Sequence, residues 1–387
     1  MSARRPKIVL LGFRGFPNVQ GGVEKHVESL APLLLERGFE VEAIGRRPYL
    51  PDPVTPYRGV RIIPVWTHRQ KSLEAILHTF LGVFVARWRG ADLLHIHAIG
   101  PALMTPLARL LGLRVVVTHH GYDYDRGKWN RFAKAVLRAG ESAGMRFANG
   151  RIAVSRDVAR AMAERHGVPV RFVPNGVDVR QKPATKTALE RFGLSAGGYI
   201  LTVGRLVPEK RQLDLIAAFA RLGRPDVKLV IVGSSDHPDD YVRQVEASAA
   251  AVPGVVMAGF QTGTALGELF AHARLFVLPS SHEGMPIALL EALGYGLPVL
   301  ASDIVANREV GLAGEDYFPL GDVAALADGL RRKLAEPPDP TEAAARIAAV
   351  GRDYAWDSVA DETAALYREV LAGRREAPAP EQVGAAD

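Results

Sequence analysis

Lys7-Ile8-Val9-Leu10-Leu11 is apolar at every position after the first, with none of the in–out alternation of a strand that has one wet face. Val115-Val116-Val117 and Leu229-Val230-Ile231-Val232 repeat the pattern far downstream. Such runs mark parallel strands covered by helices on both faces. Helical patterns separate them, as in 23–37, where Val23, Val27, Leu30 and Leu34 share one face and Gly38 ends the run. Strands are expected at 7–11, 41–44, 60–65, 93–97, 114–118, 151–154 and 170–173, and again at 199–203, 227–232, 254–258, 274–278 and 297–301. This alternation predicts an α/β protein of two doubly wound domains in series. Lys182-Pro183, between the two strand series, predicts a boundary in 181–187. The expected domains are 1–182 and 183–372, with the last helix free to pack back on the first domain. A tail at 373–387, without apolar periodicity, is expected to be disordered.

The composition agrees with two globular domains: 387 residues, 48% hydrophobic and 23% charged. Cysteine is absent, which excludes disulfides, thiolate metal sites and thiol catalysis. No stretch reaches the roughly 18 apolar residues of a membrane span. The apolar run after the basic start is too short for a signal peptide, so a cytoplasmic protein is expected. The net charge of +6 is unevenly spread. Residues 1–180 hold 28 Lys and Arg against 14 Asp and Glu, whereas 181–387 hold 20 against 28. A basic first half predicts an anionic partner for the first domain.

Three loops carry the chemistry. Pro279-Ser280-Ser281-His282-Glu283-Gly284-Met285-Pro286 leaves the strand at 274–278 and enters a helix through Ile287-Ala288-Leu289-Leu290-Glu291. With Pro286 as its expected first residue, that helix would offer the backbone N–H groups of Gly284 and Met285 to an anion. Glu291 sits among apolar neighbours, where a carboxylate needs donors; ligand hydroxyls would serve. Gly204-Arg205-Leu206-Val207-Pro208-Glu209-Lys210 follows the strand at 199–203, at the end of a parallel sheet where ligands bind. Across a turn into a helix from Pro208, Arg205 and Lys210 could clamp one diphosphate, with Arg211 turned away. Gly21-Gly22, at a helix start after the first strand, permits close approach of a phosphate. Neither a dinucleotide fingerprint nor a P-loop is present.

Taken in order over about 7–370, these loops resemble those of the retaining nucleotide-sugar glycosyltransferases of family 4. The turn Pro174-Asn175-Gly176-Val177-Asp178 and Thr118-His119-His120-Gly121 belong to the same resemblance. It implies the GT-B fold, two facing Rossmann-like domains with a cleft between them. By this resemblance Glu283 contacts donor-sugar hydroxyls, Glu291 binds the ribose, and Arg205 and Lys210 hold the diphosphate. The His before Gly in the first domain lines the sugar site; it maps to His120, with His119 beside it as the alternative. Gly21, Gly22, Asn175, Gly204, Gly284, Met285 and Pro286 complete the implied donor site. No metal or other cofactor is implied, since the cations and the helix N-terminus stabilise the leaving diphosphate. The loops at 18–22 and 121–129 further resemble those of bacterial rhamnosyltransferase-like members that assemble surface polysaccharides.

The expected function is therefore hexosyl transfer from a nucleoside diphosphate sugar to a saccharide or lipid-linked saccharide. A sugar-nucleotide 2-epimerase of the same fold, a transferase acting on a small soluble acceptor, and a binding protein without turnover are the alternatives. Asp123-Tyr124-Asp125 is formally a metal-binding D-x-D but lies in the first domain, away from the clamp. His95 and His97 alternate on one strand and read as packed or cleft-lining side chains rather than zinc ligands. In the helix after Gly127, Arg131, Lys134 and Arg138 share one face while Trp129, Phe132 and Val136 are expected on the apolar one. With Phe84, Arg87, Trp88 and Arg89, it predicts contact with an anionic membrane surface, on the inner face of the plasma membrane. Nucleic acid is not expected as a partner.

Overall fold

The computed structural model describes residues 4–68, 74–125, 130–179, 182–183, 185–235 and 239–373. The tail expected at 373–387 lies, apart from Gly373, outside the described residues, as does Trp129. Two compact units divide the rest. Unit 1 comprises the described residues of Met1–Val19, Val23–Pro174 and Asp357–Asp387; unit 2 comprises those of Gln20–Gly22 and Asn175–Trp356.

Unit 1 begins β1 (Lys7–Leu11), α1 (Gly22–Glu36), β2 (Glu40–Arg46), β3 (Arg61–Val65), α2 (Glu74–Trp88) and β4 (Leu93–His97). It continues with α3 (Thr105–Leu110), β5 (Arg114–His119), α4 (Arg131–Phe147), β6 (Gly150–Ala153), α5 (Arg156–His166) and β7 (Arg171–Phe172). Its seven strands lie in the order β3-β2-β1-β4-β5-β6-β7, every neighbouring pair parallel. The apolar runs supply the core: Val9, Leu11, Val115 and Val117 are fully buried against Val83 and Ala86 of α2 and Met145 of α4. Since right-handed crossovers carry β3 to β4, β4 to β5 and β5 to β6 in one direction, α2, α3 and α4 cover a single face of the sheet. α3 accordingly packs against both α2 and α4.

Unit 2 contains α6 (Thr187–Arg191), β8 (Tyr199–Val203), α7 (Gln212–Ala220), β9 (Lys228–Val232), α8 (Asp240–Ala251), β10 (Val255–Gly259) and α9 (Gly263–Ala271). After these come β11 (Leu275–Leu278), α10 (Ile287–Gly294), β12 (Val299–Ser302), α11 (Val305–Arg308), β13 (Tyr317–Phe318), α12 (Val323–Ala335) and α13 (Pro340–Asp353). The six strands are again parallel, ordered β10-β9-β8-β11-β12-β13. The last helix, α14 (Trp356–Leu371), belongs after its first residue to unit 1. There Tyr367 is fully buried, its hydroxyl 2.5 Å from His95 Nδ1.

Two local expectations are corrected. The helix after Gly284 begins at Ile287, and Pro286 is its cap in an extended-side conformation (φ −80°, ψ 85°) rather than its first turn. No helix starts at Pro208: Pro208–Lys210 form a single 3₁₀ turn, and Arg211 adopts a left-handed conformation (φ 50°) before α7 begins at Gln212. On α4, Phe132 is 78% exposed, while Val136 on the same expected face is half-buried.

Candidate active-site residues

In unit 2 the loop after β8 and the loop after β11 both emerge at the carboxyl ends of parallel strands, and they are tied to each other. Ser281 N donates to the Glu209 carbonyl at 2.8 Å, and Ser281 Oγ reaches the same oxygen at 3.3 Å. Ser302 Oγ on β12 donates to Ser280 O at 2.5 Å and is itself held by Asn307, whose amide donates to Ser302 O at 2.8 Å. On the other side, Gln212 fixes the β8 loop: its amide donates to Arg205 O at 2.9 Å, and its side-chain oxygen accepts from Tyr241 OH. Gln212 is 2% exposed, so these bonds are shielded from water.

One glycine of this region, Gly233, is required by close approach. A Cβ on Gly233, whose φ is +147°, would fall 1.8 Å from Gly204 O, which no side chain could tolerate. Gly204 N donates to Val232 O at 2.9 Å, continuing the β8–β9 ladder. A Cβ on Gly204 would only touch the aliphatic stem of Lys210, at 3.5 Å. Lys210 thus lies back over the loop, and its ammonium donates to Glu283 Oε1 at 2.5 Å. The two side chains are 19% and 10% exposed. The structure therefore brings Gly204, Lys210 and Glu283 together, with Arg205 on the same loop. Arg211 instead pairs with Asp214, 2.6 Å from its Nε.

Gly284, Met285 and Pro286 immediately precede α10, so its positive end lies at the carboxyl end of β11. Glu291 is half-buried in the second turn of that helix. Asn175, 4% exposed, anchors the approach by donating from Nδ2 to Met285 O at 3.2 Å. The turn it opens is fixed by packing: a Cβ on Gly176 would lie 2.3 Å from the Trp356 ring, and Val177 N donates to Tyr354 O at 2.7 Å.

Gly21 and Gly22 fall with Gln20 in unit 2; Gly21 adopts φ +154° and Gly22 opens α1 with no atom within 4 Å of where its Cβ would be. The preceding loop is braced by Glu24, which accepts from Arg14 Nε at 3.0 Å and Arg14 N at 3.1 Å. Burial alone would raise the Glu24 carboxyl; the Arg14 charge and hydrogen bonds hold it below its ordinary value.

The two adjacent histidines have different surroundings. His119 is fully buried, with Nε2 3.1 Å from Glu141 Oε2 and Nδ1 accepting from Gly121 N at 3.1 Å. Tyr124 OH also donates to Glu141 at 3.0 Å, and Arg165 donates to its other oxygen at 2.9 Å. Burial favours the neutral Glu141 acid, but these donors keep its carboxyl below the usual range. His120 is half-buried, with Nε2 3.1 Å from His97 Nδ1 and its ring 4.9 Å from that of His26. Burial first, and then the neighbouring rings, push both His97 and His120 well below the ordinary imidazole range, so these two rings are neutral.

His26 was not legible as part of this group, because a lone His in a helix gives no signal. Among the described residues, the ring nitrogens of His26, His97 and His120 lie within 4.8 Å of one another, the one set there with the spacing to hold a metal ion. Asp123 and Asp125 fall on a separate 3₁₀ turn.

Comparison with known proteins agrees with this architecture. The family described as "Glycosyltransferase Family 4" matches residues 20–181, and the one described as "Glycosyl transferases group 1" matches 193–353. A glycogen synthase of Mycobacterium tuberculosis is 28% identical over 410 residues, covering 96% of each chain. A GDP-mannose-dependent alpha-(1-6)-phosphatidylinositol monomannoside mannosyltransferase of Mycolicibacterium smegmatis is 29% identical over 95% of this chain and 99% of its own. Among solved structures, a sucrose-phosphate synthase from Thermosynechococcus elongatus superposes with a TM-score of 0.81 at 22% identity, over 96% of this chain and all of that one. Two parallel Rossmann-like units with these neighbours define the GT-B class. The chain belongs to the family 4-like glycosyltransferases.

Proposed function

We propose that this glycosyltransferase moves a hexosyl group, with retention of configuration, from a nucleoside diphosphate sugar to a saccharide or lipid-linked saccharide acceptor in cell-surface polysaccharide assembly. The observation that carries the reading is the Lys210–Glu283 pair at 2.5 Å beside Gly204-Arg205, on loops bound to each other at the carboxyl ends of β8 and β11. A cation and a carboxylate held together there match the two ends of a sugar diphosphate: phosphate oxygens for Lys210 and Arg205, sugar hydroxyls for Glu283. The M. smegmatis relative is named for a GDP-mannose donor and a phosphatidylinositol monomannoside acceptor, which supports both halves of the reading.

In the proposed reaction the acceptor hydroxyl attacks the anomeric carbon on the face the diphosphate leaves. The bond from that carbon to the phosphate oxygen breaks, its electron pair stays on the diphosphate, and the leaving oxygen takes the acceptor proton. The protein stabilises the charge that develops on the diphosphate, through Arg205, Lys210 and the α10 N-terminus at Gly284, Met285 and Pro286. Glu291 holds the ribose, Asn175 fixes the Met285 backbone, and Gly21 and Gly22 leave room for the donor. His120 lines the sugar site, a reading supported by the engagement of His119 with Glu141 and Gly121. No metal or other cofactor takes part. The protein works in the cytoplasm, at the inner face of the plasma membrane.

Nucleoside diphosphate release, measured across sugar nucleotides with and without saccharide and polyprenyl-linked acceptors, tests the proposal. Acceptor-dependent release with an α-linked product from an α-linked donor is the expected result. Release without transfer together with an isomerised sugar would indicate a 2-epimerase instead.

A further inference from the structure

The helical layer formed by α2, α3 and α4 on unit 1 has an outward side that the proposed chemistry does not use. On α2, Phe80, Phe84 and Trp88 recur every fourth residue and form an exposed stripe, with Phe80 and Phe84 in edge contact at 5.1 Å. Trp88 is 83% exposed, Leu110 on α3 is 84% exposed, and Phe132 on α4 is 78% exposed. Large apolar side chains this exposed, on three adjacent helices, mark an interaction surface.

The charges on the same helices have one sign. Arg87, Arg109, Arg131 and Arg138 are exposed and Lys134 half-exposed. The acids of the three helices, Glu74 and Glu141, are 4% and 2% exposed and face inward. Along these helices the described outer surface is therefore cationic and aromatic, without an exposed carboxylate. Arg87 lies close to the α3 end, donating from Nε to Leu111 O at 3.1 Å, which puts basic and aromatic groups of α2 beside Leu110.

We propose that this face docks the enzyme on an anionic lipid bilayer. Aromatic side chains settle at the boundary between headgroups and acyl chains, while arginine and lysine bury their stems and keep their charges at the phosphates. A protein partner would call for some matching polarity on the surface; a sheet of lipid phosphates requires only the positive charge that these three helices present. Neither α2 nor any other helix among the described residues is long and apolar enough to cross a membrane, so the contact lies in the interfacial plane. The inference deepens the reading of a lipid-linked acceptor and rests on it for its purpose, though not for its evidence.

Co-sedimentation of the full chain with vesicles of phosphatidylcholine alone, and of phosphatidylcholine with phosphatidylglycerol, tests it at low and high salt. The expected result is binding to the anionic vesicles only, weakened at least about tenfold by high salt. Phe84→Ser with Trp88→Ser, and separately Arg131→Glu with Lys134→Glu and Arg138→Glu, should each reduce binding by about tenfold or more, with the melting temperature unchanged. Nucleoside diphosphate release with a soluble acceptor should be unaffected in both variants, so loss of docking and failure of the transferase reading are distinguishable. Absence of vesicle binding at low salt, binding unaltered in both variants, or a self-association that the Trp88 variant abolishes would overturn the proposal.

Discussion

Lys210 and Glu283 stand 73 residues apart in the chain, yet their side chains meet at 2.5 Å. In this state the ammonium and the carboxylate satisfy each other in a site where both are largely shielded from water. On the proposed reading, a sugar diphosphate would offer each a better-matched partner, and donor binding would exchange one ion pair for two sets of hydrogen bonds. The cost of separating them is modest compared with leaving either charge buried alone.

Removing the clamp should show chiefly in turnover. Lys210→Ala or Arg205→Ala is expected to lower kcat by about 10²–10³-fold, the scale of losing one pre-organised charge-stabilising donor. Steady-state kinetics with a saturating donor would check it. Turnover within threefold (about 0.6 kcal/mol) of wild type in both variants would remove the clamp from the mechanism.

The two glutamates should separate binding from chemistry. Glu291→Gln is expected to weaken nucleoside diphosphate affinity by about tenfold, the scale of a hydrogen bond to a charged group. Glu283→Gln should leave that affinity nearly unchanged and slow transfer if, as proposed, its partners are on the sugar. Calorimetric titration with the free nucleoside diphosphate, set beside single-turnover transfer, distinguishes them; equal affinity losses would contradict the division.

A chelator bears on the histidine trio. If the diphosphate charge is met by Arg205, Lys210 and the α10 N-terminus, prolonged dialysis against EDTA should leave transfer within about twofold (~0.4 kcal/mol) of the untreated enzyme. Activity lost to EDTA, restored by a divalent ion and abolished by His97→Ala would instead assign His26, His97 and His120 a metal that the chemistry needs.

Twelve of the thirteen strands were legible because buried parallel strands need unbroken apolar runs, and β1, β4 and β8 match the expected bounds residue for residue. The thirteenth, Tyr317–Phe318, is two residues long and owes its place to pairing with Ala301 and Ser302, which no local pattern records. The loops bearing Arg205, Lys210, Glu283 and Glu291 stood out through residue types and spacing. Their mutual arrangement did not: the Lys210–Glu283 pair and the Ser281–Glu209 tie are products of strand order. Local backbone detail was also hidden. Nothing in Pro208-Glu209-Lys210-Arg211 announces that Arg211 turns left-handed and delays α7 to Gln212.

Acid should destabilise unit 1 through its buried imidazoles. His78 on α2 is fully buried, and burial, followed by the nearby Arg46 charge, pushes its pKa down from 6.5 to about 3. The folded state thus holds the ring neutral where the unfolded chain would protonate it. Because the folded pKa is the lower one, the unfolded chain binds more protons between pH about 3 and 6.5, and stability rises with pH across that window. The contribution is complete above pH 6.5 and is lost progressively as pH falls toward 3. Melting temperature should therefore drop between pH 7.5 and pH 5. His78→Leu, which fills the site without a titrating group, should shallow that drop even if it shifts the value at pH 7.5. Thermal melts of both proteins across the series provide the check. Parallel curves, or a wild-type melting temperature that rises on acidification, would show that His78 does not carry the effect.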